Sequence, residues 1–231
     1  METSNRSESK GKSIDGSNIA LVGDLKFGRA VHSLCKALNL FENSQIDKYL
    51  TRCPDSETNK KMVSLLEQTK ADGDSIGGSV VCSIHNCPAG IGEPVFDKLH
   101  ADLAKSMLSI PASRAFELGH GFNSCQMLGS IHNDEFDKMG ERIITKTNNS
   151  AGIQGGISNG MPIWFKVAFK PASSIRKSQN SIDILGHKKQ ISVRGRHDPC
   201  VVIRAVPIVE AMASLVTLDH ILRNIKYQTH T

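Results

Sequence analysis

The stretch GRHDPC, residues 195–200, is the most chemically pointed part of this chain. Arg196 and Asp198 stand two apart, so an extended segment turns both to one side and His197 to the other. An arginine so placed can neutralise a phosphate or carboxylate while the nearby carboxylate takes a proton. The same residues read equally well as a surface ion pair ahead of a helix, with His197 a satisfied loop histidine. KPASSI, residues 170–175, is a second candidate. Lys170 brings a positive charge, and Ser173 and Ser174 bring hydroxyls that could hold a phosphate. Pro-Ser-Ser is also the composition of a plain turn. A third stretch, AGIQGGISNG at 151–160, places four glycines in ten residues. Such a cluster marks either a tight turn or a backbone that something approaches closely.

Other polar clusters carry less. HNDEF (132–136) brings together His132, Asp134 and Glu135, but no further ligand stands at a helical or strand spacing from them, so no metal is expected. The six cysteines, Cys35, Cys53, Cys82, Cys87, Cys125 and Cys200, form no CxxC pair. They are expected to be reduced packing thiols in a cytosolic, cytoplasmic chain. The net charge of +5, from 28 basic and 23 acidic side chains, is spread along the sequence, and aromatic residues are few. That argues against nucleic acid as a partner and fits a site for a small anion as well. The polar start METSNRSESKGKS lacks the apolar core of a secretory signal, and no run of about 18 apolar residues occurs, so no membrane partner is expected.

The elements that must position these groups follow from periodicity. At 231 residues and 39% apolar, the chain can bury a sizeable core. Residues 1–17 are polar and are expected to be a disordered lead. In 18–43, IALVG reads as a strand, and Val31, Leu34, Cys35 and Leu38 as the stripe of a helix. Residues 44–226 form the main domain and 227–231 a tail. Within that domain, Pro54 and Asp55 open an exposed helix carrying Met62, Leu65, Leu66 and Thr69, stopped by ADG. Val80, Cys82 and Ile84 alternate as a half-buried strand ended by Pro88 and Gly90. Phe96, Leu99, Leu103 and Met107 mark one face of a helix. RAFELGHGF, RIITKTNN and IWFKVAFKP read as strands. VPIVEAMASLVTLDHILRNI, apolar on most sides with Pro207 in an early turn, reads as a buried helix. Strands joined by short connections rather than regular crossover helices give an α+β class.

Two resemblances enter at this point. VGDLKFGRAVHSL, within 18–41, resembles the start of the second domain of aspartate carbamoyltransferase, in which the arginine matching Arg29 helps bind a substrate carboxylate. Nothing later continues that enzyme. From about 45 to 225 the chain resembles chorismate synthase, through RCPD, GDSIGG, PAGIGEPVFDKLHADLAKSMLSIPA, GSIHNDEF, NNSAGIQGGISNGMPI, FKPASSI and GRHDPCVVIRAVPIVEAMASLV in that order.

The second resemblance implies a sandwich of helices between antiparallel sheets, usually assembled as a homotetramer. It implies a lyase of the shikimate pathway of aromatic amino acid biosynthesis. Such an enzyme is a flavoprotein using reduced FMN in a 1,4-elimination of phosphate from 5-enolpyruvylshikimate 3-phosphate to give chorismate. By that resemblance Pro111, Ala112, Gly155, Lys170, Pro171, Ala172, Ser173, Ser174 and Arg196 match flavin-contact positions. Asp198 matches the carboxylate that assists proton removal. The loops carrying Gly155, Ser174 and Asp198 are then expected to converge as one wall of a nucleotide pocket. The family's GESHG-type and RSSARET-type motifs, which supply two histidines, flavin-binding serines and phosphate-binding arginines, do not occur in this sequence. Ala151 replaces a glycine common in the family loop. The chain therefore reads as the C-terminal part of such an enzyme, N-terminally incomplete and joined to a foreign start, with impaired activity. A non-catalytic flavin-binding or assembly fragment and a carbamoyltransferase fragment are the alternatives.

Overall fold

The computed structural model describes residues 49–195 and 197–228. The lead and the carbamoyltransferase-like segment lie outside the described residues, as does Arg196. Asp55 opens helix α1 (Ser56–Ala71) by accepting a hydrogen bond from Thr58 N at 2.7 Å. Gly73, at φ +68°, closes it: its amide donates to Lys70 O as the chain leaves the helix. As expected, α1 is an exposed helix, with no buried residue.

The core is built on three antiparallel strands. β1 (Gly78–Ile84) and β2 (Ser113–Leu118) both pair with a long central strand, Ile163–Phe169, in the order first, central, second. The register sets Val80 opposite Val167, Cys82 opposite Phe165 and Ile84 opposite Ile163, so the period-2 alternation puts all six on one face. Phe116 of β2 packs on Phe165 with ring centroids 5.2 Å apart. Helix α2 (Leu99–Leu108) covers that face with Leu99, Leu103 and Met107. Phe96, expected on the same helical stripe, instead precedes the helix and is 90% exposed. Pro94 stands two residues ahead of it and Asp97 just after, in an irregular segment where the helical period has not begun.

Between β2 and the central strand the chain forms a 3-10 turn (Gly121–Gln126), a single-turn helix α3 (Gly129–His132) and two hairpins. These are β3 (Phe136–Met139) with β4 (Arg142–Thr145), and β5 (Ile153–Gln154) with β6 (Ile157–Ser158). The central strand is thus β7. A further hairpin, β8 (Gln179–Ile182) with β9 (Lys188–Ile191), precedes the last helix, α4 (Val202–Gln228).

Helix α4 departs from expectation twice. It begins at Val202, so Pro207 is its sixth residue and lies inside it. It also buries only part of its circumference. Val202, Ala205, Val206, Val209 and Ala213 join the core, while Ile208, Leu215 and Leu222, seven apart, face solvent. A helix apolar all round needs partners all round, and the described residues supply one sheet and α2. Residues Val202–Ile225 are apolar enough to cross a membrane by length and composition, but 56% of the apolar window is buried inside the fold, as in a core helix. The class is α+β, with antiparallel pairing between all the named strands. Five free cysteines are described, of which Cys82 and Cys87 are buried and Cys125 is exposed, so Cys125 is not a packing residue.

Candidate functional site

Strand β7 delivers two loops to opposite ends of the sheet. Phe169 leads into Lys170–Ile175, whereas Ile163 follows the glycine-rich run. Six steps of extended chain separate those ends by roughly 20 Å.

Four segments meet at the Phe169 end. Lys170 N donates to Ala112 O at 2.9 Å, which brings in Pro111 and Ala112. Ser75 Oγ donates to Ala172 O at 2.6 Å. Ile76 N donates to Pro199 O at 2.8 Å, and Ile76 pairs with Cys200 as an isolated parallel bridge. Val193 N donates to Ile175 O at 3.1 Å. Gly77 permits the closure, because a Cβ there would lie 2.4 Å from Phe169 O and 3.1 Å from Pro171 Cδ. This is a backbone approach that only glycine allows. Ala112, in the left-handed region at φ +69°, makes the turn from α2 into β2.

The backbone satisfies itself at this end and leaves side chains outward. Lys170, Ser173 and Ser174 are exposed, and their side chains have no hydrogen-bond or ion-pair partner among the described residues. One ammonium and two hydroxyls at the rim of a closed backbone junction form a donor set that fits a phosphate monoester. The segment is also a turn, as its composition allowed. Asp198 sits at the same end and forms an ion pair with Arg204 in the first turn of α4. His197 is a satisfied loop histidine, with Nε2 3.2 Å from Val193 O. Lys177 bonds Asp74 at 2.8 Å, and with the Ser75 amide it holds that carboxyl below its ordinary range.

The Ile163 end is organised differently. Ile153–Ser158 is a hairpin whose two-residue turn, Gly155 and Gly156, has φ +62° and +96°, the conformation of a type I′ turn. The turn docks on the start of α2, where Leu99 N donates to Gly156 O at 2.9 Å. A Cβ at Gly92 would lie 2.3 Å from that same oxygen. Gly155 itself is exposed, with nothing within 4 Å of an added Cβ. The expected single wall is therefore corrected. Pro111, Ala112, Lys170, Pro171, Ala172, Ser173, Ser174 and Asp198 gather at one end of the sheet, and Gly155 is held at the other by the length of β7.

Sequence reasoning weighed Asp134 only as a metal ligand and missed what it does. No cluster of three or more ligating side chains suited to a metal occurs among the described residues. Asp134 is buried, and its carboxylate accepts from Thr147 Oγ1 and Asn149 N, each at 2.7 Å, and from Ser150 N at 2.8 Å. Burial pushes the carboxyl up, but the Thr147 hydroxyl and the Ser150 and Asn149 amides together outweigh it and leave the group below the ordinary value of 3.8. Donors 13 to 16 residues away along the chain leave no local signature to read.

A family model described as chorismate synthase matches residues 16–222. A chorismate synthase of Prochlorococcus marinus is 52% identical over 186 residues, covering 80% of this chain and 51% of the relative. One from Christiangramia forsetii is 54% identical over 181 residues, 78% of this chain and 50% of the relative. One from Trichormus variabilis is 48% identical over 209 residues, 90% of this chain and 57% of the relative. A solved chain described as a crystal structure of chorismate synthase superposes with a TM-score of 0.61 at 26% identity, over 80% of this chain and 53% of that one. The chain thus spans about half the length of the curated relatives it matches. None of these matches supports the resemblance of 18–41 to aspartate carbamoyltransferase, and the family match begins ahead of that segment. With a match across nine-tenths of its length and a sheet-and-helix core that superposes on a solved member, this chain belongs to the chorismate synthase family.

Proposed function

We propose that the Phe169 end of the sheet binds reduced FMN and serves the phosphate-eliminating lyase chemistry of chorismate synthase. The observation that carries this reading is the donor set of Lys170, Ser173 and Ser174, exposed and unpartnered beside a junction closed by backbone bonds. Those three groups would hold the flavin phosphate. Pro111 and Ala112, tied to Lys170 N, would line the approach, and Pro171 and Ala172 would shape it. Arg196 would add a cation from the GRHDPC segment. Bound reduced flavin supplies electron density as phosphate leaves 5-enolpyruvylshikimate 3-phosphate.

Asp198 would be the carboxylate that helps move the ring proton. Its ion pair with Arg204 fixes it at the start of α4, where it can act as an acceptor without a side chain of its own having to reorient. Gly155 joins this reading through a second copy of the chain. A homo-oligomer can bring the far end of one sheet to the near end of another, which one chain cannot do. The reading places the chain in the cytoplasm, acting on a small phosphorylated substrate.

The test is titration of the purified chain with reduced FMN, followed by assay of chorismate formation. Lys170→Ala and Ser174→Ala should each weaken flavin binding about tenfold, as expected for loss of one charge-assisted hydrogen bond. Asp198→Ala should leave flavin affinity unchanged and lower turnover. Equal flavin affinity in wild type and Lys170→Ala would remove the site. The second reading is a flavin-binding or assembly fragment without turnover. It is distinguished by flavin binding with no chorismate formed.

A further inference from the structure

We propose that Asp134 is the positioning residue of the glycine loop, whose carboxylate holds Thr147–Ser150 so that the Gly155 turn is presented outward as a contact surface for a flavin. The claim rests on the reading above that Gly155 meets a flavin.

A carboxylate buried in an otherwise exposed turn is costly unless its oxygens are met by donors. Asn133 and Glu135 on either side of Asp134 are exposed. Asp134 alone turns inward, and both its oxygens are used on a segment more than a dozen residues away: Oδ1 by Thr147 Oγ1 and Asn149 N, Oδ2 by Ser150 N. Two successive amides of the loop therefore depend on one side chain. The neighbouring residues extend the hold. Asn149 Nδ2 donates to Ile131 O at 3.2 Å, and Asn149 Oδ1 lies 2.9 Å from His120 Nε2. Asn148 bridges onward, accepting from Gly152 N at 2.7 Å and donating to Pro162 O at 2.8 Å, which ties the root of the hairpin to the entry of β7. Between them Ala151 is fully buried at φ +52°, a conformation that a residue with a Cβ keeps only when its surroundings enforce it. Beyond Gly152 the hairpin is seated by other partners, its turn on α2 through Gly156 O and Leu99 N and its return strand on Ile91 through Ser158, and Gly155 alone is left open on its outer side.

Asp134→Asn keeps the size of the side chain but replaces one acceptor oxygen with a donor group that must face an amide. Thr147→Val removes a single donor from an exposed residue and leaves the fold intact. Amide hydrogen exchange of the full chain should be about tenfold faster at Asn149, Ser150 and Gly152 in Asp134→Asn, and a few-fold faster in Thr147→Val, with β1 and β7 unchanged. The dissociation constant for reduced FMN should rise about tenfold in Asp134→Asn. Unchanged exchange in the loop overturns the proposal. So does acceleration spread equally over β1 and β7, which marks general destabilisation. Faster loop exchange with flavin affinity unaltered also overturns it, since the flavin then takes no notice of the loop. If the wild-type chain binds no reduced FMN, the flavin reading itself falls and Asp134 loses its assigned role with it, an outcome distinct from a wild type that binds and a variant that binds equally well.

Discussion

The two ends of β7 solve opposite problems. At Phe169, backbone atoms satisfy one another across four segments, and the side chains of Lys170, Ser173 and Ser174 are left over for something else. At Ile163, side chains are spent on the backbone: Asp134 and Asn148 hold the amides of Asn149, Ser150 and Gly152, and what remains outward is bare chain at Gly155. The first arrangement offers charge and hydroxyls to a ligand. The second offers a shaped backbone. A site that needs both must join two such ends, and a single copy of this sheet keeps them apart.

The largest perturbation should abolish the distinction. Phe165 lies at the middle of β7, fully buried and stacked on Phe116, so both ends depend on it. Phe165→Ala should cost about 3–5 kcal/mol of stability, read by urea unfolding, with both ends losing protection together. Gly77→Ala should separate them. Its Cβ would meet Phe169 O, a backbone atom that cannot swing away, for a loss of about 1–3 kcal/mol. Amide exchange should rise around Ala172 and Ile76, with Asn149 and Ser150 as protected as before.

A pH titration should act the other way. A carboxyl depressed on folding, as Asp134 is, adds stability that is complete above its unfolded value and is lost as pH falls through the lower folded value. Protection of the Asn149 and Ser150 amides should hold from neutral pH down to about 4 and fail below it. Asp74 at the Phe169 end is depressed too, chiefly by its hydrogen bond from Lys177, but that pair is solvent-exposed and screened. The acid-induced loss should therefore concentrate at the Ile163 end. A comparable loss at Ala172 would erase the contrast. The smallest effect is a rate. Burial pushes the Cys87 thiol, beside Ser158, up to about 11, while Cys200 at the other end is half-buried. Iodoacetamide at pH 8 should modify Cys125 first, Cys200 next and Cys87 last, followed by peptide mass.

Much of this was open to reading along the chain. The alternation of Val80, Cys82 and Ile84 located β1, and the spacing of Leu99, Leu103 and Met107 located α2, because burial on one face imposes a period. Asp55 and Gly73 announced the ends of α1 through their own backbone chemistry. Short hairpins were less legible. β8–β9 carries few apolar residues that face a core, so no period betrays it. Phe96 matched a helical stripe by spacing alone and fell outside the helix.

The sequence by itself determined the local elements, the family and the inventory of polar groups, since caps, turns and strand alternation are set by neighbours within a few residues. Tertiary structure decided which of those groups meet. Asp198 takes Arg204 as its partner, Asp134 reaches Asn149 and Ser150, and Gly155 and Ser174 stand at opposite ends of one strand. The reason is geometric. A strand fixes the distance between the loops at its two ends, and a buried carboxylate finds its donors wherever the chain returns, neither of which spacing along the sequence records.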